Sequence, residues 1–268
     1  GGFDFVRDCS AIIPMQVIGM LLGIPEEDRQ AIRLRADDRL RTVDGKPMQY
    51  DTDGIRQGFD HYVERCIAEP SDNIISQLIQ AEFEGEDGKM RRLERNELTT
   101  MIGFLASGGN ETTNRLIGWA GKLLAEHPDQ RRALVEDRSL IPQAIEEILR
   151  FEPPAVHIGR YVAQDFEIHG TRIREGSIVV FLTGAANRDP REFRDPDRFD
   201  IFRERRPHLT FGYGHHVCLG NALARAEGRI VLDEILNRFP EWEVDSANAR
   251  LASASTVRGW ESLPVSVP

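Results

Sequence analysis

Residues Phe211 to Gly220 read FGYGHHVCLG and set one cysteine beside a pair of histidines, with glycines at 212, 214 and 220. Glycine lets backbone approach a flat ligand closely and take conformations that other residues resist. The residues after Cys218 carry a helical pattern, so the thiol stands just before a helix N-terminus. Backbone N–H groups and the positive end of the helix dipole favour a thiolate there. Several chemistries use such a sulfur. A zinc site would draw on His215, His216 and Cys218, but adjacent histidines diverge and no CxxC or HxxxH partner is present. A nucleophile needs a general base and an oxyanion site, which the sequence leaves open. A disulfide is disfavoured by an odd count of widely separated cysteines, Cys9, Cys66 and Cys218. A merely buried cysteine explains neither the glycines nor Phe211.

Two other stretches carry chemistry-bearing residues. SGGNETT, Ser107 to Thr113, falls midway along a long apolar helical pattern running from Arg95 to Pro128. Each glycine costs a helix roughly 1 kcal/mol against alanine. Asn110 and Thr112 offer hydrogen bonds that compete with the ladder, and glycines there also suit tight helix packing. EILR, Glu147 to Arg150, places an acid and a base three apart, which in isolation is an ordinary helix pair.

Together, in the chain order SGGNETT, EILR and FGYGHHVCLG, the three stretches resemble the cytochromes P450, of the soluble bacterial type. FGYGHHVCLG matches the family's haem loop, FGxGxHxCxG, at Phe211, Gly212, Gly214, His216, Cys218 and Gly220. The resemblance implies that Cys218 is the thiolate ligand of haem iron, which pushes electron density toward O–O cleavage. GGNET is similar to the family's [AG]GxxT pattern and implies a local helix distortion that makes a groove for dioxygen, with an acid–alcohol pair beside it. Thr112 would hydrogen-bond the oxygen and Glu111 would relay protons to it. EILR resembles the ExxR motif and implies that Glu147 and Arg150 brace the cysteine loop, with Arg203 as third member. Arg160 and His216 would bind the haem propionates, and Phe211, Gly212 and Gly220 would border the haem. Phe104, Ser107, Gly108, Val156, His157, Thr256 and Val257 would line a pocket for a small hydrophobic substrate. His157 would bond a polar group there or point to solvent.

The implied activity is insertion of one oxygen atom of O2 by a haem b monooxygenase. Electrons would come ultimately from NAD(P)H through a ferredoxin-type partner. Arg205, Arg206 and Arg225 are expected to give that acidic partner a basic docking face. GGFDFVRDCSAIIP is similar to the stretch that follows the family's first strands and substrate roof, so the chain is expected to be an N-terminally truncated P450 domain. The alternative is a natural short form with weak or no haem, acting as a binding or interaction protein. Apolar surface left without its partners would then favour self-association.

These residues need elements to position them. The chain has 268 residues, 40% hydrophobic and 29% charged, an ordinary globular mixture with ample length for a core. A net charge of −10 argues against nucleic acid as a partner. No apolar run is long enough to span a membrane, and the start lacks a signal-peptide pattern. Cysteine usage fits a reducing cytoplasm. Helices are expected from Ile13 to a stop at Gly23 and Pro25, and from Glu26 along a charged surface helix. A further helix from Gly54 would bury Ile55, Phe59, Tyr62, Val63, Cys66 and Ile67, followed by one capped by Asp72. EFEGEDGKM reads as a turn. After the long helix come two shorter ones, ended by Pro153 and Pro154. From Gly159 the pattern changes to short antiparallel strands, then a long Pro- and Asp-rich connection, the cysteine loop, its helix, and short strands at the end. The fold class is mainly α (α+β), in one domain over 1–268, helix-rich over 1–154 and mixed over 155–268.

Overall fold

The computed structural model describes residues 1–42, 58–254 and 256–268. Helix α5, Arg95–Glu126, is the beam of the molecule. A capping box starts it: the Glu94 and Glu97 side chains each accept from the other's backbone N–H. Two apolar clusters form on this beam. Leu98, Ile102 and Ala106 from its first half pack with Met15, Ile18, Leu22, Ile32, Tyr62, Val63 and Ile75. Leu116, Ile117, Ala120, Leu123 and Leu124 from its second half pack with Phe5, Ile145, Ile148, Leu232, Leu236 and Trp242. Between the two lies a buried polar stretch of Asn110, Glu111, Thr113, Asn114 and Arg115. The motif singled out in the sequence therefore begins the polar seam between two cores.

Helices α1 (Ile13–Leu22), α2 (Glu26–Leu40), α3 (Asp60–Ala68) and α4 (Ile74–Gln80) surround the first half of the beam. Pro14 sits in the first turn of α1, and Gly23 ends it in the left-handed region at φ 77°. Helices α6 (Pro128–Glu136), α7 (Ile141–Phe151) and α9 (Asn221–Arg238) pack on the second half, with a short helix α8 at Thr183–Ala186. The strands are short and antiparallel. β1 (Gly2–Asp4), β11 (Pro264–Ser266) and β8 (Glu243–Val244) form a sheet that joins the chain ends, with Phe3 opposite Val265. β4 (Ile158–Tyr161) pairs β7 (Ile178–Phe181), with Arg160 opposite Val179. β5 (Phe166–Ile168) and β6 (Thr171–Ile173) form a hairpin, and β9 (Arg250–Leu251) pairs β10 (Trp260–Ser262). The architecture is the expected helix-dominated α+β arrangement.

Four local expectations are revised. Asn73, not Asp72, caps α4, because its side-chain oxygen accepts from Ser76 N–H at 2.8 Å. Ile67 is exposed, one position off the face that buries Val63 and Cys66. EFEGEDGKM is more than a turn: it holds β2 (Glu82–Glu84) and runs into β3 (Met90–Arg92), whose pairing closes a hairpin. The beam stays α-helical through SGGNETT. Asn110 donates to the Glu111 carboxylate at 3.2 Å instead of competing for the ladder, and Thr112 bonds back to the Gly108 carbonyl at 2.8 Å. The helix expected from Gly54 is described only from Asp60, and Ile55 lies outside the described residues.

Candidate functional site

The cysteine loop is folded by its glycines. Gly212 and Gly214 adopt φ of 75° and 64°, which L side chains rarely take. A Cβ on Gly212 would also come 3.0 Å from the His216 carbonyl oxygen. Gly212 N–H donates to Leu209 O at 2.9 Å, Val217 N–H to Gly214 O at 3.1 Å, and Cys218 N–H to Phe211 O at 2.8 Å. The loop thus doubles back on Phe211, whose ring packs on the second-half core beneath the Arg225 guanidinium at 4.4 Å. Cys218 is exposed at the start of α9, while Cys9 is half-buried and Cys66 buried. Its neighbours Tyr213, Val217 and Leu219 are exposed at 85%, 49% and 76%. Apolar side chains at that exposure, around a free thiol, suit a flat apolar ligand held by one sulfur.

Helix α9 brings this loop to the beam. Leu223 packs on the cluster containing Ile102 and Ala106. Further along, a Cβ on Gly228 would come 3.2 Å from Leu116 and Ile145, so glycine allows α9, α5 and α7 to approach closely. Cys218 precedes Leu223 by little more than a helical turn, so the loop enters α9 beside the first half of α5. Phe104 is 69% exposed there. Ser107 is half-buried and donates to Gly103 O at 3.0 Å. Gly108 is exposed, and a Cβ on it would meet nothing within 4 Å. Thr112 gives its hydroxyl proton to Gly108 O, which leaves its oxygen lone pairs as acceptors. Glu111 is 2% exposed and turned away from Thr112, ion-paired with Arg115 at 2.8 Å. Arg115 continues to the Trp260 carbonyl.

The acid–base pair of α7 is a buried brace. Arg150 donates to both Glu147 oxygens at 2.7 and 2.8 Å, and to the carbonyls of Asn187, Pro196 and Arg198 at 2.9, 2.9 and 3.2 Å. Arg203 donates to Glu147 at 3.3 Å and to the carbonyls of Asp195 and Arg198, both at 2.9 Å. The Pro- and Asp-rich connection lacks a ladder of its own, so these guanidinium donors satisfy its carbonyls. Asn187, 0% exposed, extends the brace to the loop. It accepts from Leu209 N–H and donates to Thr210 Oγ1, both at 2.8 Å, and Thr210 donates to Leu149 O at 2.7 Å. Phe211 follows directly.

The remaining residues fall into two groups. Arg160 on β4 and His216 in the loop have no ion-pair partner among the described residues. Arg160 donates only to the Gly159 carbonyl, at 2.9 Å. Cationic or donor groups of this kind match a ligand with carboxylate arms. Val156 and His157 are brought to Thr256 and Val257 by one backbone bond, Arg258 N–H to Pro154 O at 2.8 Å. Arg258 lies over Trp119 at 4.6 Å, and its carbonyl accepts from the Trp119 indole at 3.1 Å, which anchors that segment to the beam.

The expected basic face is revised. Arg225 is tied to Glu146 at 2.6 and 3.0 Å and to Phe211, so it is an internal strut. Arg205 lies 3.8 Å from Glu146, and only Arg206 has no ion-pair partner among the described residues. Sequence reasoning missed Asn187 and Glu146. Glu146 gathers Arg225, Arg205 and His208. Burial pushes its carboxyl up, but His208 and Arg225 more than reverse this and hold it at about 2. Its place beside Glu147 in EEILR was the only available signal. Among the described residues no group of three or more His, Cys, Asp and Glu is placed to hold a metal ion. No single helix among them is long and apolar enough to cross a membrane.

Comparison with known proteins agrees with this geometry. A family model described as Cytochrome P450 matches residues 36–259. A Steroid C26-monooxygenase of Mycolicibacterium smegmatis is 36% identical over 276 residues, covering 99% of this chain and 67% of the relative. Cytochrome P450 CYP107DY1 of Priestia megaterium is 37% identical over 268 residues, covering 98% of this chain and 64% of the relative. The chain thus spans about two thirds of the length of its curated relatives, 66% for another of them. The crystal structure of P450BioI in complex with hexadec-9Z-enoic acid ligated acyl carrier protein superposes with a TM-score of 0.89 at 34% identity, over 100% of this chain and 69% of that one. Cytochrome P450 PksS of the Bacillus subtilis bacillaene polyketide synthase superposes with a TM-score of 0.90 at 32% identity, over 99% and 69%. With the loop, the brace and the beam in the order the sequence implied, the chain belongs to the cytochrome P450 family.

Proposed function

We propose that this chain carries the haem-thiolate and oxygen-binding part of a monooxygenase that inserts one atom of O2 into a small hydrophobic substrate. The exposed Cys218 thiol, on a glycine-built loop at a helix N-terminus and ringed by exposed apolar side chains, carries this reading. Haem b held by Cys218 would supply the one-electron and dioxygen chemistry. Cys218 would provide the sulfur ligand, with its backbone N–H already spent on Phe211 O and its side chain free. Arg160 and His216 would bind the carboxylate arms. Gly108 would let the beam approach the ligand without a side chain between them. Thr112, with its hydrogen bonded inward to Gly108 O, would present acceptor lone pairs to a donor on the open side. Glu111 would help relay protons to it from within the seam. Phe104, Ser107, Val156, His157, Thr256 and Val257 would bound the substrate, with Gly108 opening the wall between them.

Electrons would arrive from a ferredoxin-type partner and ultimately from NAD(P)H. Arg205 and Arg206 remain available to an acidic protein, whereas Arg225 supports the loop from within. The test is haem reconstitution followed by the reduced carbon-monoxide spectrum. The expected result is the red-shifted Soret band of thiolate ligation, lost in Cys218→Ser. Haem binding of equal stoichiometry and identical spectrum in both chains would overturn the reading. A chain that takes up no haem would instead favour the binding-protein alternative.

A further inference from the structure

The polar seam holds a second carboxyl group that the reaction scheme above does not use. Asp37, on α2, lies with its carboxyl in hydrogen-bonding reach of the Glu111 carboxyl on α5. Each acid has its own arginine on its own helix, one turn away. Arg33 bonds Asp37 Oδ2 at 2.9 Å and Arg115 bonds Glu111 Oε2 at 2.8 Å. Each carboxyl keeps a second oxygen that its arginine does not bond. Asp37 Oδ1 is buried and has no donor among the described residues. Glu111 Oε1 has only the Asn110 amide, at 3.2 Å. Ionised carboxylates accept and cannot donate, so two of them can bond only through a proton. Like charges at that range also oppose double ionisation.

We propose that Asp37 and Glu111 hold one proton between them, so that Asp37 is the positioning residue that fixes the orientation of the Glu111 carboxyl. The groups facing the pair are Arg33 on α2 and Arg115 on α5, and both favour ionisation. Burial and then Glu111 outweigh them and push the Asp37 carboxyl up to about 8. α2 and α5 meet across this contact, so the pair also ties the proton of the seam to the seating of α2. The shared proton stands independently of the haem reading, whereas its use in proton delivery to Thr112 rests on that reading.

The sign of the pH dependence follows. A carboxyl whose folded pKa is raised keeps a proton that the unfolded chain releases. The stability it gives is full below the ordinary aspartate range and is lost as pH rises toward about 8. Denaturant unfolding of the haem-free chain at steps of pH measures this, compared with Asp37→Asn. Asparagine keeps the shape and offers Glu111 an N–H in place of the shared proton. Between about pH 5 and 7 the wild-type folding constant should fall faster than that of Asp37→Asn, by up to tenfold per pH unit. The difference between the two chains cancels every other titrating group. Glu111→Gln should remove the same slope, which keeps the test open if one variant folds poorly. Infrared spectra at neutral pH should show a protonated-carboxyl band in the wild type that both variants lack. Equal slopes in wild type and variants, without that band, would mean that Asp37 is an ordinary ionised partner of Arg33 and would overturn the proposal. Loss of the slope in a chain that binds no haem would leave the pair intact and remove only its use in catalysis.

Discussion

At the scale of single residues, exposure decides which side chains are available for chemistry. The three cysteines illustrate this. Burial, with the Asp8 charge beside it, pushes the Cys9 thiol up to about 11, so it is almost wholly protonated at neutral pH and a poor nucleophile. Cys66 is buried with its sulfur 3.7 Å from the Asn73 amide. Cys218 alone is exposed. Alkylation of the haem-free native chain, read by peptide mass spectrometry, should therefore label Cys218 well before the others, and bound haem should protect it. Equal labelling of all three would contradict the exposed-thiol geometry. Glu227 shows the reverse case. Both its carboxylate oxygens are buried on α9 without a donor among the described residues, and burial raises the carboxyl to about 7. Its folded pKa lies above the ordinary glutamate value, so stability is lost as pH rises through about 7. Glu227→Gln should raise the midpoint of thermal unfolding at pH above that value, by an amount corresponding to roughly 1–3 kcal/mol. It should change little in mild acid, and a gain that is the same at both pH values would contradict this account.

At the scale of elements, α7 carries two neighbouring acids with different duties. Glu147 faces inward and, with Arg150, fastens the irregular connection. Glu146 collects Arg225 of α9 and His208 ahead of the loop, so the helix after the cysteine and the turn before it share one anchor. Arg150→Ala would leave Glu147 as a buried charge without its main partner and free the carbonyls of Asn187, Pro196 and Arg198. A loss of about 3–5 kcal/mol is expected, with Arg203→Ala costing less, because it leaves the Arg150 bonds in place. Urea midpoints of the two variants rank these effects, and an equal or reversed ranking would contradict the brace. Glu146 adds a pH signature of the opposite sense to Glu227: its carboxyl is held low, so its stabilisation is present in the neutral range and is lost as pH falls toward about 2. The spacing of EILR made the first acid legible in the sequence. The second was not, because its partners lie 62 and 79 positions away and no local pattern reports them. Asn187 was hidden for the same reason. The α4 cap was legible in type but displaced by one residue, since Asp72 and Asn73 are both good caps and only backbone geometry selects between them.

At the scale of the whole molecule, periodicity in the sequence told which face of each helix is apolar, but not which partner that face meets. The division into two cores along α5, with SGGNETT at the start of the seam between them, follows from packing and could not be read from pattern alone. The same limit applies to apolar residues that meet no partner. Strand β7 reads as a core strand by composition, IVVF, yet Ile178, Val180 and Phe181 are exposed at 70%, 51% and 55%, and Leu182 beyond them at 61%. Among the described residues the strand pairs only with β4, so its other edge is also open to hydrogen bonding. An apolar, open-edged strand is a template for pairing with another chain. The isolated chain should therefore associate with rising concentration, as sedimentation velocity would show. Ile178→Lys combined with Val180→Lys should return it toward the monomer, since these two residues share one exposed face of the strand and charge there opposes edge pairing without touching either core. Helical content by circular dichroism should stay the same in that double variant. If association persisted unchanged with the fold intact, the open surface responsible would lie elsewhere, with the ring of Tyr213, Val217 and Leu219 around Cys218 next in line. Haem uptake distinguishes the two surfaces: it should weaken association through the cysteine loop and leave association through β7 as it was.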